Sequence, residues 1–158
     1  MKNWAQQRGL DPLAYFVDAE VAAVDFVHGQ EGLLMGGAYA VPRLLHRQGL
    51  ELADFDFIEI HEAFASTVLT TMKAWADEDF NQRIFARPAL GEVDRTKLNV
   101  AGSSLAAGHP FAATGARIIG TLAHLVAEKK AETGSPSRGL ISVCAAGGQA
   151  TAMIIEAA

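Results

Sequence analysis

Two short glycine-flanked segments carry the side chains of this 158-residue chain that most readily move protons near neutral pH. In Gly102-Ser-Ser-Leu-Ala-Ala-Gly108-His109-Pro110, His109 lies between a residue that admits unusual backbone angles and one that fixes the chain beyond it. An imidazole held this rigidly suits a general base that activates a nucleophile. It equally suits a loop histidine hydrogen-bonded to backbone. The only cysteine, Cys144, lies in Ser142-Val-Cys144-Ala-Ala-Gly147-Gly148. A free thiol commonly packs as a small hydrophobe. Here, however, it precedes a glycine pair whose N–H groups can approach a ligand closely, as an oxyanion hole requires.

A third candidate is His61, in His61-Glu62-Ala63-Phe64, directly after the apolar run 55–60. It is expected to open the next helix, where the dipole disfavours imidazolium and leaves a neutral hydrogen-bond donor. An ordinary helix N-terminal residue is the alternative. Glu62 would orient His61 or complement the same dipole. His28, His46 and His124 fall among polar neighbours or inside a helical pattern and are assigned structural or exposed places. No Cys or His spacing fits a zinc site. The 102–108 loop lacks the Lys-Ser/Thr ending of a phosphate-binding loop, and no G-x-G-x-x-G follows the first strand.

The elements that must hold these groups follow from periodicity and breakers. Residues 3–8 read as the end of a short helix closed by Gly9, and 13–17 and 20–28 as two extended segments. A helix is expected over 37–48, with Pro42 acceptable only near its first turn and Gly49 as its stop. A strand at 55–60 leads to a helix with the stripe Phe64, Val68, Met72 and Trp75/Ala76. Residues 77–96 are expected as a loop with a short helical piece, and 98–101 as a strand feeding the His109 loop. Helix 114–130 carries Ile118/Ile119, Leu122, Ala123 and Val126 on one side, and 132–138 is a solvated turn. Strands 139–144 and 150–156 are joined by the Ala-Ala-Gly-Gly-Gln bend. Alternating strands and helices imply an α/β layered architecture. His61, His109 and Cys144 would each follow a strand, at the carboxyl ends where ligands bind in open α/β sheets.

Composition is consistent with this. The length is one domain, or one half of a two-lobed protein. Half the residues are apolar, enough for a sizeable core. A net charge of -5 argues against nucleic-acid or anionic-membrane surfaces. A lone Cys excludes an internal disulfide and fits a reducing compartment. No apolar run is long enough to cross a bilayer, so a cytoplasmic location is expected.

His61-Glu-Ala-Phe64, Gly108-His109-Pro110 and Cys144-Ala-Ala-Gly-Gly148, in this order and spacing, resemble the carboxy-terminal half of a thiolase. The similarity runs from about Leu34 to Glu156 and weakly covers the first thirty residues. Gly108-His-Pro-Phe-Ala-Ala-Thr-Gly-Ala-Arg117 is its most specific stretch. His61 (many thiolases have Asn there), Pro110-Phe111 and the Gln149 after the glycine pair look most like the fatty-acid-oxidation branch, which includes the trifunctional enzyme β-subunit and its bacterial relatives.

The resemblance implies one half of the layered thiolase fold, a mixed sheet covered by helices. Residues 1–30 would be a lead-in from a missing amino-terminal half, and 31–158 the thiolase C-terminal domain. It implies cleavage of 3-ketoacyl-CoA by CoA, or the reverse Claisen condensation, with acyl-CoA and CoA as substrates and no cofactor. The nucleophilic Cys would belong to the missing half and be activated by His109. Cys144 would be the acid/base at the substrate α-carbon. His61, through a water, and His109 would stabilise the enolate oxygen, and the Ala146 N–H would serve a second oxyanion hole. Ala63 and Phe64 would line the pantetheine and acyl channel, with Gly147 among the CoA-binding positions. Ala146 and Ala150 replace glycines of many relatives, and Ala150 would tighten the bend. The full-length enzyme would be a homo-oligomer, with a possible β-oxidation partner subunit, and the chain alone inactive. Two rivals remain at this stage: a non-catalytic acyl-CoA- or partner-binding module, and a Cys-His acyl hydrolase.

Overall fold

A computed structural model describes residues 2–158. Four strands form one mixed sheet in the order β1-β4-β3-β2: β1 Ala14–Ala23, β2 Phe57–Ile60, β3 Arg138–Ala145 and β4 Gln149–Ala157. β2 runs parallel to β3, and β4 pairs antiparallel with both β3 and β1. The parallel pair needs a long crossover, and the segments between β2 and β3 supply it: α3 Ala65–Ala76, α4 Glu78–Phe85, α5 Ser104–Ala107 and α6 Thr114–Thr133. Helix α1, Lys2–Gln6, precedes β1, and α2, Gly37–Gln48, lies between β1 and β2.

Strand alternation divides the core in two. Leu140, Ala152 and Ile154 face α2 and α3, where Val41, Leu44, Leu45, Met72 and Trp75 complete the larger cluster. Trp75 is wholly buried and its indole N–H donates to the Gly37 carbonyl, joining α3 to α2. On the other face Ile141 and Ile155 meet Ile118, Leu122 and Val126 of α6. Gly139 permits that approach: a Cβ there would lie 2.5–2.7 Å from three carbons of Leu122. Beside α6 the sheet keeps an apolar groove of about 240 Å³, lined by residues that include Val21, Ile119, Val143 and Met153.

The expected helix 37–48 forms as read, but Pro42 sits at its sixth position rather than in its first turn. The two extended segments at the start are one strand with an irregularity between Phe16 and Asp18, and the chain turns after Ala23. Residues 98–101 are not a strand. A single bridge joins Leu98 to Ile58, and Asn99 then takes a left-handed conformation (φ 48°). Its side chain replaces the missing strand: Oδ1 accepts the Ile60 N–H at 2.9 Å and Nδ2 donates to the Ile60 carbonyl at 3.0 Å. His109 therefore follows a turn and the short α5, not a strand. Phe64 and Ile119, placed on buried stripes by periodicity, are exposed. Among the described residues no helix is long and apolar enough to cross a membrane.

Candidate active site

His61 does not open a helix. It continues β2 by one residue, its N–H donating to the Ser142 carbonyl at 2.8 Å, and α3 begins four residues later. Its neutral state therefore has a different origin from a helix dipole. Burial is the largest influence lowering its pKa, followed by the positive ends of His109 and Arg117 nearby. The ring is almost fully buried, whereas His109 above it is exposed. Their ring centres lie 4.3 Å apart.

Hydroxyl groups orient both rings. Thr114 Oγ1, at the start of α6, donates to the Pro110 carbonyl at 3.3 Å. It therefore accepts from His109 Nδ1 at 2.7 Å, which assigns the ring proton to Nδ1 and leaves Nε2 free to take another. Ser104 Oγ accepts from Arg117 Nη2 at 3.0 Å and lies 2.9 Å from His61 Nδ1. Ser104 is buried, and His61 Nδ1 is the one acceptor its proton reaches among the described residues. The network thus assigns His61 as an Nε2–H donor. One imidazole presents an acceptor, its neighbour a donor.

Glu62 neither holds the His61 ring nor caps α3. Its Oε1 accepts from Asn99 Nδ2 at 2.8 Å and its Oε2 from the Leu105 N–H at 3.0 Å, so it ties β2 to the Asn99 turn and α5. Asn99, Ser104, Thr114 and Arg117 were not candidates on sequence grounds. Only Asn99 left a signal, as a residue type that tolerates the left-handed region.

Cys144 stands at the carboxyl end of β3, beside the strand that carries His61. It shares its strand alternation with Leu140 and Ser142, on the side facing α2. The thiol is half-buried, and burial pushes its pKa up, away from thiolate. The β3–β4 hairpin turns through Ala146, Gly147 and Gly148, with both glycines in the left-handed region (φ 91° and 76°). At Gly148 a Cβ would lie 2.5 Å from the Val24 carbonyl, and Gly148 O accepts the Val24 N–H at 2.9 Å. The tip is therefore clamped to the segment after β1. Ala150 does pack tightly there, against Gly36 at the entry to α2, where a Cβ would come within 2.8 Å of it. The Ala146 N–H makes no hydrogen bond among the described residues. Ala63 is partly buried, while Phe64 and Gly147 are exposed at the same end of the sheet. No three His, Cys, Asp or Glu side chains converge as metal ligands would, among the described residues.

Residues 10–157 match the family description "Thiolase, C-terminal domain". The chain belongs to the thiolase family. A 3-ketoacyl-CoA thiolase of Serratia proteamaculans is 45% identical over 153 residues, which is 96% of this chain and 33% of that protein. The peroxisomal 3-ketoacyl-CoA thiolase of Saccharomyces cerevisiae superimposes with a TM-score of 0.74 at 28% identity, over 99% of this chain and 38% of that one. That structure is described as five-layered, built from two core domains of identical topology. The Acat5 thiolase of Ascaris suum, solved in complex with coenzyme A, superimposes with a TM-score of 0.68 at 29% identity, over 100% of this chain and 34% of that one. The fold is one half of the layered thiolase fold, and the chain spans about a third of the length of the relatives it matches. The thiolase half keeps its two imidazoles and its thiol at one end of the sheet.

Proposed function

We propose that this chain is the carboxy-terminal catalytic half of a 3-ketoacyl-CoA thiolase, an acetyl-CoA acyltransferase. The observation that carries the proposal is the His61–His109 pair, with its two rings 4.3 Å apart and held in opposite tautomers by Ser104 and Thr114. In this reading an amino-terminal half supplies the nucleophilic Cys, whose proton passes to the free Nε2 of His109. The thiolate attacks the 3-keto carbon, and the α–β carbon bond breaks. Its electron pair moves to the α-carbon as the enolate of acetyl-CoA. His109, now imidazolium, and His61, through a water, donate to the enolate oxygen. The Cys144 thiol gives its proton to the α-carbon, completing acetyl-CoA. The resulting Cys144 thiolate takes the proton of incoming CoA, which attacks the acyl-cysteine; the acyl–cysteine bond breaks, and the departing cysteine thiolate recovers its proton from the His109 imidazolium. The Ala146 N–H stabilises the oxyanion of that second attack, and its lack of a partner among the described residues supports the role.

A thiol that must hold a proton at neutral pH fits the upward push that burial gives Cys144. A Cys-His hydrolase would need the opposite shift and a thiol–imidazole contact. CoA is a substrate and no cofactor is required. Ala63, Phe64 and Gly147 would face the pantetheine and acyl channel. Residues 1–30 would lead in from the other half while lending β1 to this sheet, and 31–158 would form the domain proper. We place the intact enzyme in the cytoplasm as a homo-oligomer able to join a β-oxidation partner subunit, and the separate chain without turnover.

The test joins the chain to an amino-terminal half. Cys144→Ala should still form the acyl-cysteine from acyl-CoA, trapped by mass spectrometry, while losing thiolysis and condensation by at least about a hundredfold. Absence of trapped acyl-enzyme would assign Cys144 to the nucleophilic step instead. Ordinary turnover by the separate 158-residue chain would also refute the reading.

A further inference from the structure

Beneath the His pair lies a group the reaction above does not use. Glu59 is the third residue of β2, two before His61, on the face turned toward α6. It is 0% exposed, and neither carboxylate oxygen has a hydrogen-bond partner among the described residues. An unpaired carboxylate out of water costs several kcal/mol, so chance placement is a poor account of it. Two groups of its surroundings bear charge toward it without an ion pair or hydrogen bond to it among the described residues: Arg117 from α6, of opposite sign, and Glu62 from the extension of its own strand, of like sign. His61 and His109 stand beyond Ser104. Arg117 is itself incompletely satisfied. Its Nη2 reaches Ser104 at 3.0 Å and Ser103 at 3.5 Å, while its Nε is buried without a partner among the described residues.

We propose that Glu59 is a positioning residue for His61: its carboxylate neutralises Arg117, whose guanidinium orients the Ser104 hydroxyl and so holds His61 as an Nε2–H donor. The arrangement is a sequence of three polar groups leading from a buried anion to a ring. Ser104 gives its proton to His61 Nδ1 only while its lone pairs face Arg117, because a hydroxyl has one proton to place. Arg117 faces Ser104 only while a counter-charge holds it inward, since a half-buried guanidinium without one turns to solvent. Burial raises the Glu59 pKa to about 7, so this counter-charge is present on the alkaline side of neutrality and lost on the acid side. The inference rests on the reading of His61 as a donor in the thiolase site. Its experiment observes the ring rather than turnover, so the two can fail separately.

Long-range ¹H–¹⁵N spectra report the tautomer of each imidazole, and ¹³C spectra report Glu59, in the intact 158-residue chain. Above the Glu59 midpoint His61 should be an Nε2–H ring. As Glu59 takes its proton, the ratio of Nε2–H to Nδ1–H His61 among neutral rings should fall at least about threefold. Glu59→Gln at pH 8 should reproduce the state that wild type shows on the acid side, with His46 unchanged as an internal control. A His61 tautomer ratio that stays constant through the Glu59 titration overturns the proposal, whether or not Glu59→Gln folds. A folded Glu59→Gln chain that keeps the wild-type tautomer at pH 8 overturns it as well.

Discussion

Alkylation of Cys144 as a function of pH separates a proton-holding thiol from an activated nucleophile. The ordinary thiol pKa of about 8.5 leaves roughly 3% thiolate at pH 7. Burial moves Cys144 upward from its ordinary value, so the folded chain should hold less than that fraction. A cysteine activated by an imidazole has a pKa of about 7 or lower and would be roughly half thiolate, at least about tenfold more. Iodoacetamide rate constants would be read by intact mass from pH 6 to 10, on the folded chain and on the same chain in denaturing urea. At pH 7 the folded chain should react more slowly than the unfolded one. Its rate should climb about tenfold per pH unit to beyond the unfolded midpoint. His109→Ala should leave the pH 7 rate unchanged, because no hydrogen bond joins that ring to the thiol among the described residues. The midpoint does not depend on how easily the reagent enters, so half-burial does not confound it. A plateau with a midpoint below pH 8, or a rate that collapses in His109→Ala, would refute the assignment of Cys144 as acid.

Three further outcomes are expected. Thr114→Val leaves the His109 Nδ1–H without its acceptor, a loss of about 1–3 kcal/mol that weakens the tautomer bias roughly 5- to 150-fold; imidazole ¹⁵N shifts should show a mixture, and Thr114→Ser should restore a single form. Gly139→Ala drives a methyl into Leu122 and should lower unfolding free energy in urea by about 1–3 kcal/mol; in a Leu122→Ala background the same change should cost almost nothing, and equal costs in the two backgrounds would exclude that contact as the cause. Glu59 holds its proton more tightly when folded, so its contribution to stability is complete at acid pH and is lost as pH rises through 7. From pH 5 to pH 8 wild type should lose about 2–3 kcal/mol relative to Glu59→Gln in urea titrations, and parallel pH profiles of the two chains would contradict the buried-carboxylate account.

Local chemistry made much of this molecule legible. The 37–48 helix with its glycine stop, the helix expected over 114–130, which runs on to Thr133, and the β3–β4 hairpin follow from apolar spacing and breakers. His109 and Cys144 stood out because each sits on a bend of small residues. What stayed hidden depends on tertiary pairing. Nothing in Leu98-Asn-Val-Ala101 says that one amide side chain will stand in for a strand, since the pattern is that of a strand. Nor does the sequence place Ser104 and Arg117, thirteen residues apart, on one imidazole. His61 stands out in the sequence but owes its place to the strand, which extends through it, while α3 begins only four residues later. Periodicity also put Phe64 and Ile119 inside, where no facing layer of this chain covers them.

The order of strands has a consequence for when this site comes into being. β4 lies between β1 and β3, and among the described residues β1 pairs with no other strand. Residues 14–23 must therefore wait for residues 149–157, and β2 must wait for β3 across the whole crossover that carries Ser104, His109 and Arg117. Pairings this distant in sequence are slow, since closing such loops costs entropy before any contact returns it. During synthesis α2 and α3 can meet early, but His61 cannot find its place until β3 has been made. On a ribosome the catalytic end of this domain would be assembled after its helices.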